Sequence, residues 1–348
     1  MNPAWQTYLQ NNRAVIETDR VAHFGDITAE LKHTQTEIIM ADLSHYGLIC
    51  FSGDDAQTFL QSQFSCDVKE INPHKAQYGS YCSPKGRILA SFLLWQKENT
   101  FLMRLPSSLC ATIQKRLSMY VLRAKVRITD CSQSWIRIGI AGQGAQRLAE
   151  ELSAAQLNPD SPLSVAQNGQ TSIICHAGNR FELVTPIENA PTLWEQLSQH
   201  ARPVGAACWD WLEIQSGIPV ILPATQEQFL PQMVNLDAIG GVSFRKGCYP
   251  GQEIVARTQY LGKLKRRMFL ANISTTSPVS AGDELFSADL IDQSSGRIVN
   301  AAPAPQGGFD VLAVIQQSSF EAGNIHWQTL DGPILKIRSL PYSVDISQ

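Results

Sequence analysis

This 348-residue sequence contains no P-loop, no dinucleotide-binding glycine fingerprint, no G-x-S-x-G elbow and no H-E-x-x-H pair. Local motifs therefore point away from phosphate cradling, elbow-type hydrolysis and zincin chemistry. Its eight cysteines (50, 66, 82, 110, 131, 175, 208 and 248) form no C-x-x-C pair and no Cys/His cluster with ligand spacing. No metal site is expected, and in a reducing compartment most of these thiols are expected as small core residues. His45, His74 and His176 stand alone. The longest apolar run, ILASFLLW (88–95), falls far short of a bilayer span of about 20 residues. The start, MNPAWQTYLQNNRAVIE, lacks the charged head and apolar middle of an export signal. A cytoplasmic protein without a membrane partner is the expectation. A net charge of −3 gives no global pull toward nucleic acid.

What is present is enough apolar sequence for more than one core: 44% hydrophobic against 17% charged residues, over a length that favours two or three packed units. Residues 1–41 read as a polar lead-in with some helix, with the ordered body starting near Asp42. LICFSGDDAQTFLQSQF (48–64) reads as strand, turn and helix, with Asp54 as N-cap and Ala56, Phe59 and Leu60 on one face. Strands are expected around SPKGRIL, with Pro84, Lys85 and Gly86 supplying turn chemistry, and around TFLMRL. Ser107 then caps a helix carrying Leu109, Ile113 and Leu117. VLRAKVRI (121–128) alternates, which predicts a strand with Arg123, Lys125 and Arg127 on one face. A second set follows: strands at SWIRIGIAG, TSIICH and FELVTP, and helices near GAQRLAEEL and TLWEQLSQHA. From about Leu264 the texture becomes short strands between Gly-rich turns, the pattern of a small β-barrel or sandwich. The fold class is α+β, with two ferredoxin-like units and a C-terminal barrel. The expected divisions are 1–41, 42–130, 131–256 and 257–348.

The segment FRKGCYPGQEIVAR (244–257) carries the densest chemistry. Cys248 follows Arg245, Lys246 and Gly247, and Pro250-Gly251 make a turn from which a helix can start, so nearby cations and free N–H groups would favour its thiolate. The residues leave two readings open: an accessible, reactive thiol assisted by Lys246, or a structural cysteine in a turn. Gln252 and Glu253 cap the helix or position a ligand. Between 245 and 267, Arg245, Lys246, Arg257, Lys263, Lys265, Arg266 and Arg267 face only Glu253. With Arg123 on its strand, they suggest a surface for an anionic ligand tail or RNA, or else a solvated charge run. In CWDWLEIQSGIPVI (208–221), Trp209 and Trp211 share a side if the segment is a strand; if it is a helix, Trp211, Ile214 and Ile218 make the buried stripe and Trp209 is left as a flat platform. Tyr46 in LSHYGLI could serve likewise, although a core role fits either spacing.

The stretch NLDAIGGVSFRKGCYPGQEIVARTQYLGKLKRR (235–267) resembles the signature of the YgfZ family of folate-binding proteins, K-G-C-[FY]-x-G-Q-E. The likeness to that family and to the related glycine-cleavage T-proteins extends to HYGLICFSGDDAQTFLQSQFSCDV, SPKGRIL and the final barrel. The resemblance implies three domains around a central channel holding tetrahydrofolate or a one-carbon derivative. It also implies a role in assembly or maintenance of iron-sulfur enzymes, including those that methylthiolate tRNA. Cys248 is then the signature cysteine beside Lys246. Folate is expected near Trp209, Tyr46, Gln252 and Glu253, its tail toward Arg123 and Arg257. Expected partners are folate, iron-sulfur client or assembly proteins and, on weaker grounds, tRNA. Aminomethyltransferases carry a catalytic aspartate after the strand that here is TFLMRL. This chain continues PSSLCATIQKRL without an acid, so simple aminomethyl transfer is disfavoured. A one-carbon transferase and an RNA-binding factor are the competing functions.

Overall fold

The computed structural model describes residues 1–158, 161–262, 264–290 and 293–344. Lys263 of the expected basic strip and the last four residues of the expected C-terminal division lie outside them. The described chain divides into two compact units: Met1–Phe59 with Lys69–Gln77 and Leu93–Trp209, and Leu60–Val68 with Tyr78–Phe92 and the described residues from Asp210 onward.

The chain opens with α1 (Pro3–Asn11), β1 (Val15–Glu17), β2 (Arg20–His23), α2 (Ile27–Thr36) and β3 (Ile39–Asp42). Order therefore begins with α1 and not near Asp42. The polar composition of this stretch hides a few bulky anchors: Trp5, Leu9 and Val21 are fully buried in the first unit's core, and the Trp5 indole donates to Asp42 Oδ1 at 2.7 Å. Next come β4 (Tyr46–Ser52), α3 (Ala56–Gln63), β5 (Gln77–Cys82), β6 (Ile88–Lys97), β7 (Thr100–Pro106), α4 (Ser107–Ser118) and β8 (Arg127–Asp130). Helix α3 starts after Asp55, so Asp54 is not its cap. Instead Asp54 pairs with Lys125 at 3.2 Å and the Asp55 carboxylate accepts from the Lys125 N–H at 2.7 Å. Ser107 lies inside α4, whose N-cap is Pro106, while Leu109, Ile113 and Leu117 form its buried stripe as expected.

The strand expected over 121–128 forms only from Arg127. Residues 121–124 make an exposed turn, with Leu122 at φ +47° and 87% exposed. The hydrogen bonds of Lys125 to the Asp55 turn replace a ladder there. The three cations thus do not share a strand face.

The first unit continues with β9 (Trp135–Ala141), α5 (Ala145–Ser153), β10 (Val165–Asn168), β11 (Thr171–His176), β12 (Arg180–Pro186), α6 (Ala190–Ser198) and β13 (Arg202–Val204). These strands build a sheet in the order β10-β11-β12-β9-β3-β13, in which only β13 against β3 is parallel. A second sheet in this unit places β7 between β4 and the end of β6, with β8 on the far side of β4. Alternation along β9 sorts its side chains. Ile136, Ile138 and Ile140 join Phe181, Leu183, Trp5 and Trp194 in the core. Arg137 and Gly139, in register with Val184 and Glu182, point to the opposite face.

In the second unit, Ser83–Gly86 turn β5 into β6: the Ser83 N–H donates to the Arg87 carbonyl, and Gly86 sits at φ +71°. Helix α7 (Ala206–Gln215) contributes its later residues. Then come α8 (Gln252–Tyr260), β14 (Arg266–Ile273), β15 (Glu284–Phe286), β16 (Gly296–Pro303), β17 (Phe309–Gln316), α9 (Gln317–Ala322), β18 (His326–Trp327) and β19 (Leu335–Arg338). The terminal strands form an antiparallel sheet, β18-β15-β16-β17-β14-β19. It curls until its end strands meet through a bridge between His326 and Ile334. The apolar positions of this sheet enclose a core of Phe269, Ile298, Val311, Ile315 and Trp327.

Among the described residues no helix is long and apolar enough to cross a membrane, and no group of three or more His, Cys, Asp or Glu is placed to hold a metal ion. Six cysteines are free, while Cys50 and Cys131, on β4 and just past β8, form a disulfide.

Candidate functional site

The sequence-derived site residues fall into two groups. In the first unit, Tyr46 and Trp209 are the ends of one chain of buried polar contacts. The Arg104 guanidinium lies over the Tyr46 ring at 4.2 Å and donates to Glu182 Oε2 at 3.1 Å. His176 Nε2 meets the same oxygen at 3.2 Å, and its ring is edge-on to Trp209. The Arg180 guanidinium covers the Trp209 ring at 5.3 Å. Register explains the gathering: His176, Arg180 and Glu182 project from the same face of β11 and β12. Gly139 leaves that face open, since a Cβ there would come within 2.5 Å of the Trp209 ring.

Trp209 is therefore no free platform. It is 0% exposed and already carries a cation, and Tyr46 at 3% is in the same condition. Helical spacing alone could not show this, because the face left over by Trp211, Ile214 and Ile218 is covered by the strands carrying Gly139 and Arg180. Both rings hold guanidinium groups in place through cation–π contact.

The electrostatics of this group are decided by burial and by its arginines. Burial works to raise the Glu182 carboxyl, but Arg104, the His176 bond and Arg137 outweigh it and hold the pKa below the ordinary value. Burial lowers His176, helped by Arg180 and opposed by Glu182, so the imidazole is neutral. Burial likewise lowers Arg137. Among the described residues, Glu182 Oε1 and both terminal nitrogens of Arg180 are buried without a hydrogen-bond partner. Orphaned groups of this kind cost about 1–3 kcal/mol each and are satisfied when a ligand brings the complementary atoms. Arg104, Arg137, His176, Arg180 and Glu182 are the functional candidates missed in sequence. Their signal was one or two charges set inside an otherwise mostly apolar strand, as in TFLMRLP, WIRIGIA and RFELVTP.

The second group surrounds the signature. Cys248 is exposed, two residues before the Pro250-Gly251 turn. Gly251, at φ +81°, begins α8 and packs so closely on Ser83 and Gly86 that a side chain would collide with their backbone. Lys246 is not a companion cation at the surface. It is 8% exposed, and its ammonium donates to the carbonyls of Gln61, Phe64 and Cys66 at 2.6, 2.5 and 2.9 Å. These carbonyls lie at and beyond the end of α3, so Lys246 acts as a C-terminal cap. Burial lowers its pKa to about 8, opposed by Cys66 and Asp67. Gln252 reaches back to the Lys246 carbonyl at 3.4 Å. Glu253 and Arg257 pair with each other at 2.8 Å on the exposed side of α8. Arg267 forms a two-point pair with Asp237, at 2.8 and 3.0 Å, an acid that the reading of the basic strip did not count. Arg123 sits in the exposed 121–124 turn of the first unit.

Residues 4–243 match the GCVT N-terminal domain. The chain is 31% identical over 315 residues to the tRNA-modifying protein YgfZ of Colwellia psychrerythraea, covering 90% of this chain and 92% of that protein. It is 30% identical over 312 residues to the protein of the same name from Klebsiella pneumoniae, covering 88% and 94%. The glycine cleavage system aminomethyltransferase T of Bartonella henselae shares the fold, with a TM-score of 0.75 at 16% identity over 97% of this chain and 96% of that one.

Proposed function

This chain belongs to the YgfZ family and carries the GCVT N-terminal domain, and we propose that it is a folate-binding accessory factor in tRNA modification. The finer reading is that it supports assembly or maintenance of iron-sulfur enzymes, those that methylthiolate tRNA among them, in the cytoplasm. One observation carries the folate half: a buried carboxylate oxygen and two guanidinium nitrogens without partners, all in the first unit. Reduced folate supplies a pterin ring with N–H donors, a carbonyl acceptor and nitrogens that carry one-carbon groups. Glu182 Oε1 suits the donors, and Arg180 suits the carbonyl. Tyr46 and Trp209 contribute by steadying Arg104 and Arg180. The paths β4-α3-β6-β7-α4-β8 and β9-α5-β11-β12-α6-β13 have the element sequence of ferredoxin-like units, the second with β3 inserted between β9 and β13.

Binding suits this site better than turnover. Glu182 is ionised but held by Arg104 and His176, and the step from β7 into α4 runs through Pro106, Ser107 and Ser108 without a carboxylate. An aminomethyl transferase would need a free base there. The exposed Cys248 thiol is the group suited to an iron- or sulfur-linked partner. RNA binding by the basic strip is less favoured, because Lys246, Arg257 and Arg267 are already engaged.

Calorimetric titration with tetrahydrofolate tests the reading. The native chain should bind with a change in tryptophan fluorescence, and Glu182→Gln, nearly isosteric, should weaken binding at least about tenfold. Equal affinity in the variant would remove Glu182 from the folate site.

A further inference from the structure

Strand β8 lies at the edge of its sheet, and its pairing with β4 sets Cys50 opposite Thr129 and carries Cys131 back beside Cys50, where the two sulfurs are joined. Every other cysteine is a free thiol, and of these only Cys248 is exposed. The disulfide is not sealed in the core. It borders a pocket of about 440 Å³ whose wall also holds Ser52, Lys97, Glu98, Arg127 and Thr129. Lys97 donates to Gln167 Oε1 at 3.2 Å and to the Gly169 carbonyl at 3.0 Å. Among the described residues neither Lys97 nor Arg127 makes an ion-pair contact with a carboxylate, although the Glu98 charge acts on Lys97, so two cations stand against one acid around the sulfurs.

We propose that this pocket is a thiol–disulfide exchange site for a small thiol that carries carboxylates. The volume suits a small molecule, and Lys97 and Arg127 supply the charge that draws in both a thiolate and its carboxylates. Cys131 is the more exposed residue of the pair, half-buried against 9% exposure for Cys50. The incoming thiolate attacks Cys131 Sγ, the bond to Cys50 breaks, and Cys50 leaves as a thiolate, giving a mixed disulfide on Cys131. A second thiol then attacks the external sulfur of that mixed disulfide. The oxidised small disulfide departs, and both protein cysteines remain reduced. Two electrons pass from two thiols to the protein bond. The site is separate from Cys248 and does not depend on the folate reading.

The test uses the full-length oxidised chain. It is exposed to glutathione or to uncharged 2-mercaptoethanol, quenched by alkylation and mapped by peptide mass. Each rate is scaled to the same thiol acting on an unstructured disulfide. A mixed disulfide on Cys131 is expected, forming with glutathione about fivefold faster than the scaled mercaptoethanol rate, and the gap should close in Lys97→Gln and Arg127→Gln and shrink as salt rises on the native chain. Four results would overturn the proposal: all eight cysteines alkylating before reduction, adducts confined to Cys248, a gap that survives both charge variants, or reduction by a protein dithiol that far outpaces glutathione and ignores those charges.

Discussion

The buried cluster around Glu182 and the exposed loop at Cys248 are opposite solutions to placing reactive groups in a protein. The cluster lies between the two sheets of the first unit, with Arg104 on β7, His176 on β11 and Arg180 and Glu182 on β12, all almost wholly removed from water. The loop lies within a dozen residues of continuous sequence, and its thiol meets solvent directly. In the cluster every charge depends on its neighbours, so structure and binding cannot be separated by deletion. In the loop the structural work falls to Lys246 and Gly251, leaving Cys248 free of it.

Glu182→Ala should break that contrast most severely. It removes the carboxylate that Arg104 and His176 share, and loss of one partner from a buried charge pair costs about 3–5 kcal/mol. Urea denaturation measures this, and a cost near zero would mean that the cluster does not hold the first unit together. Lys246→Met comes next, at about 2–3 kcal/mol, because it removes the ammonium that donates to the carbonyls of Gln61, Phe64 and Cys66. Were that variant as stable as the native chain, the capping role would be wrong and a chemical role for the ammonium would return.

A pH series separates the regions further. Above the ordinary histidine value of 6.5 the imidazole of His176 is neutral in both folded and unfolded chains. As pH falls through that value the unfolded chain takes up a proton that buried His176 refuses, so stability is lost. Glu182, held below its ordinary value, adds a further loss at lower pH. Stability should decline from about pH 7 to about pH 5, and His176→Asn should flatten that decline. A slope unchanged in the variant would assign the effect elsewhere. The smallest expected effect on stability is that of Cys248→Ser, below about 0.5 kcal/mol. It should bind tetrahydrofolate like the native chain yet fail to restore iron-sulfur enzyme activity in cells lacking the protein. Full restoration would leave the KGCYPGQE segment a structural turn.

Much of the local structure was legible. The stripe Leu109, Ile113 and Leu117, the turn at Ser83–Gly86 and the strands of the second set follow from period and turn chemistry, which act over a few residues. The expectation failed where distant groups intervened. Alternation in 121–128 predicted a strand, but the Asp55 turn takes the backbone hydrogen bonds of Lys125. Composition marked residues 1–41 as a polar lead-in, yet Trp5 and Leu9 suffice to dock α1 on the core. Charge counting around 245–267 saw one acid, because Asp237 is distant in sequence from Arg267.

The sequence by itself determined the family signature and the Gly251 turn that starts α8, both properties of adjacent residues, and left the exposure of Cys248 open. Only the tertiary structure decided that Lys246 faces inward, that Trp209 is covered by Arg180, that Cys50 joins Cys131, and that Glu182 gathers Arg104 and His176. Each of those depends on which strand face meets which, and a face is fixed by register between segments far apart in the chain, where one residue of slip exchanges core for site.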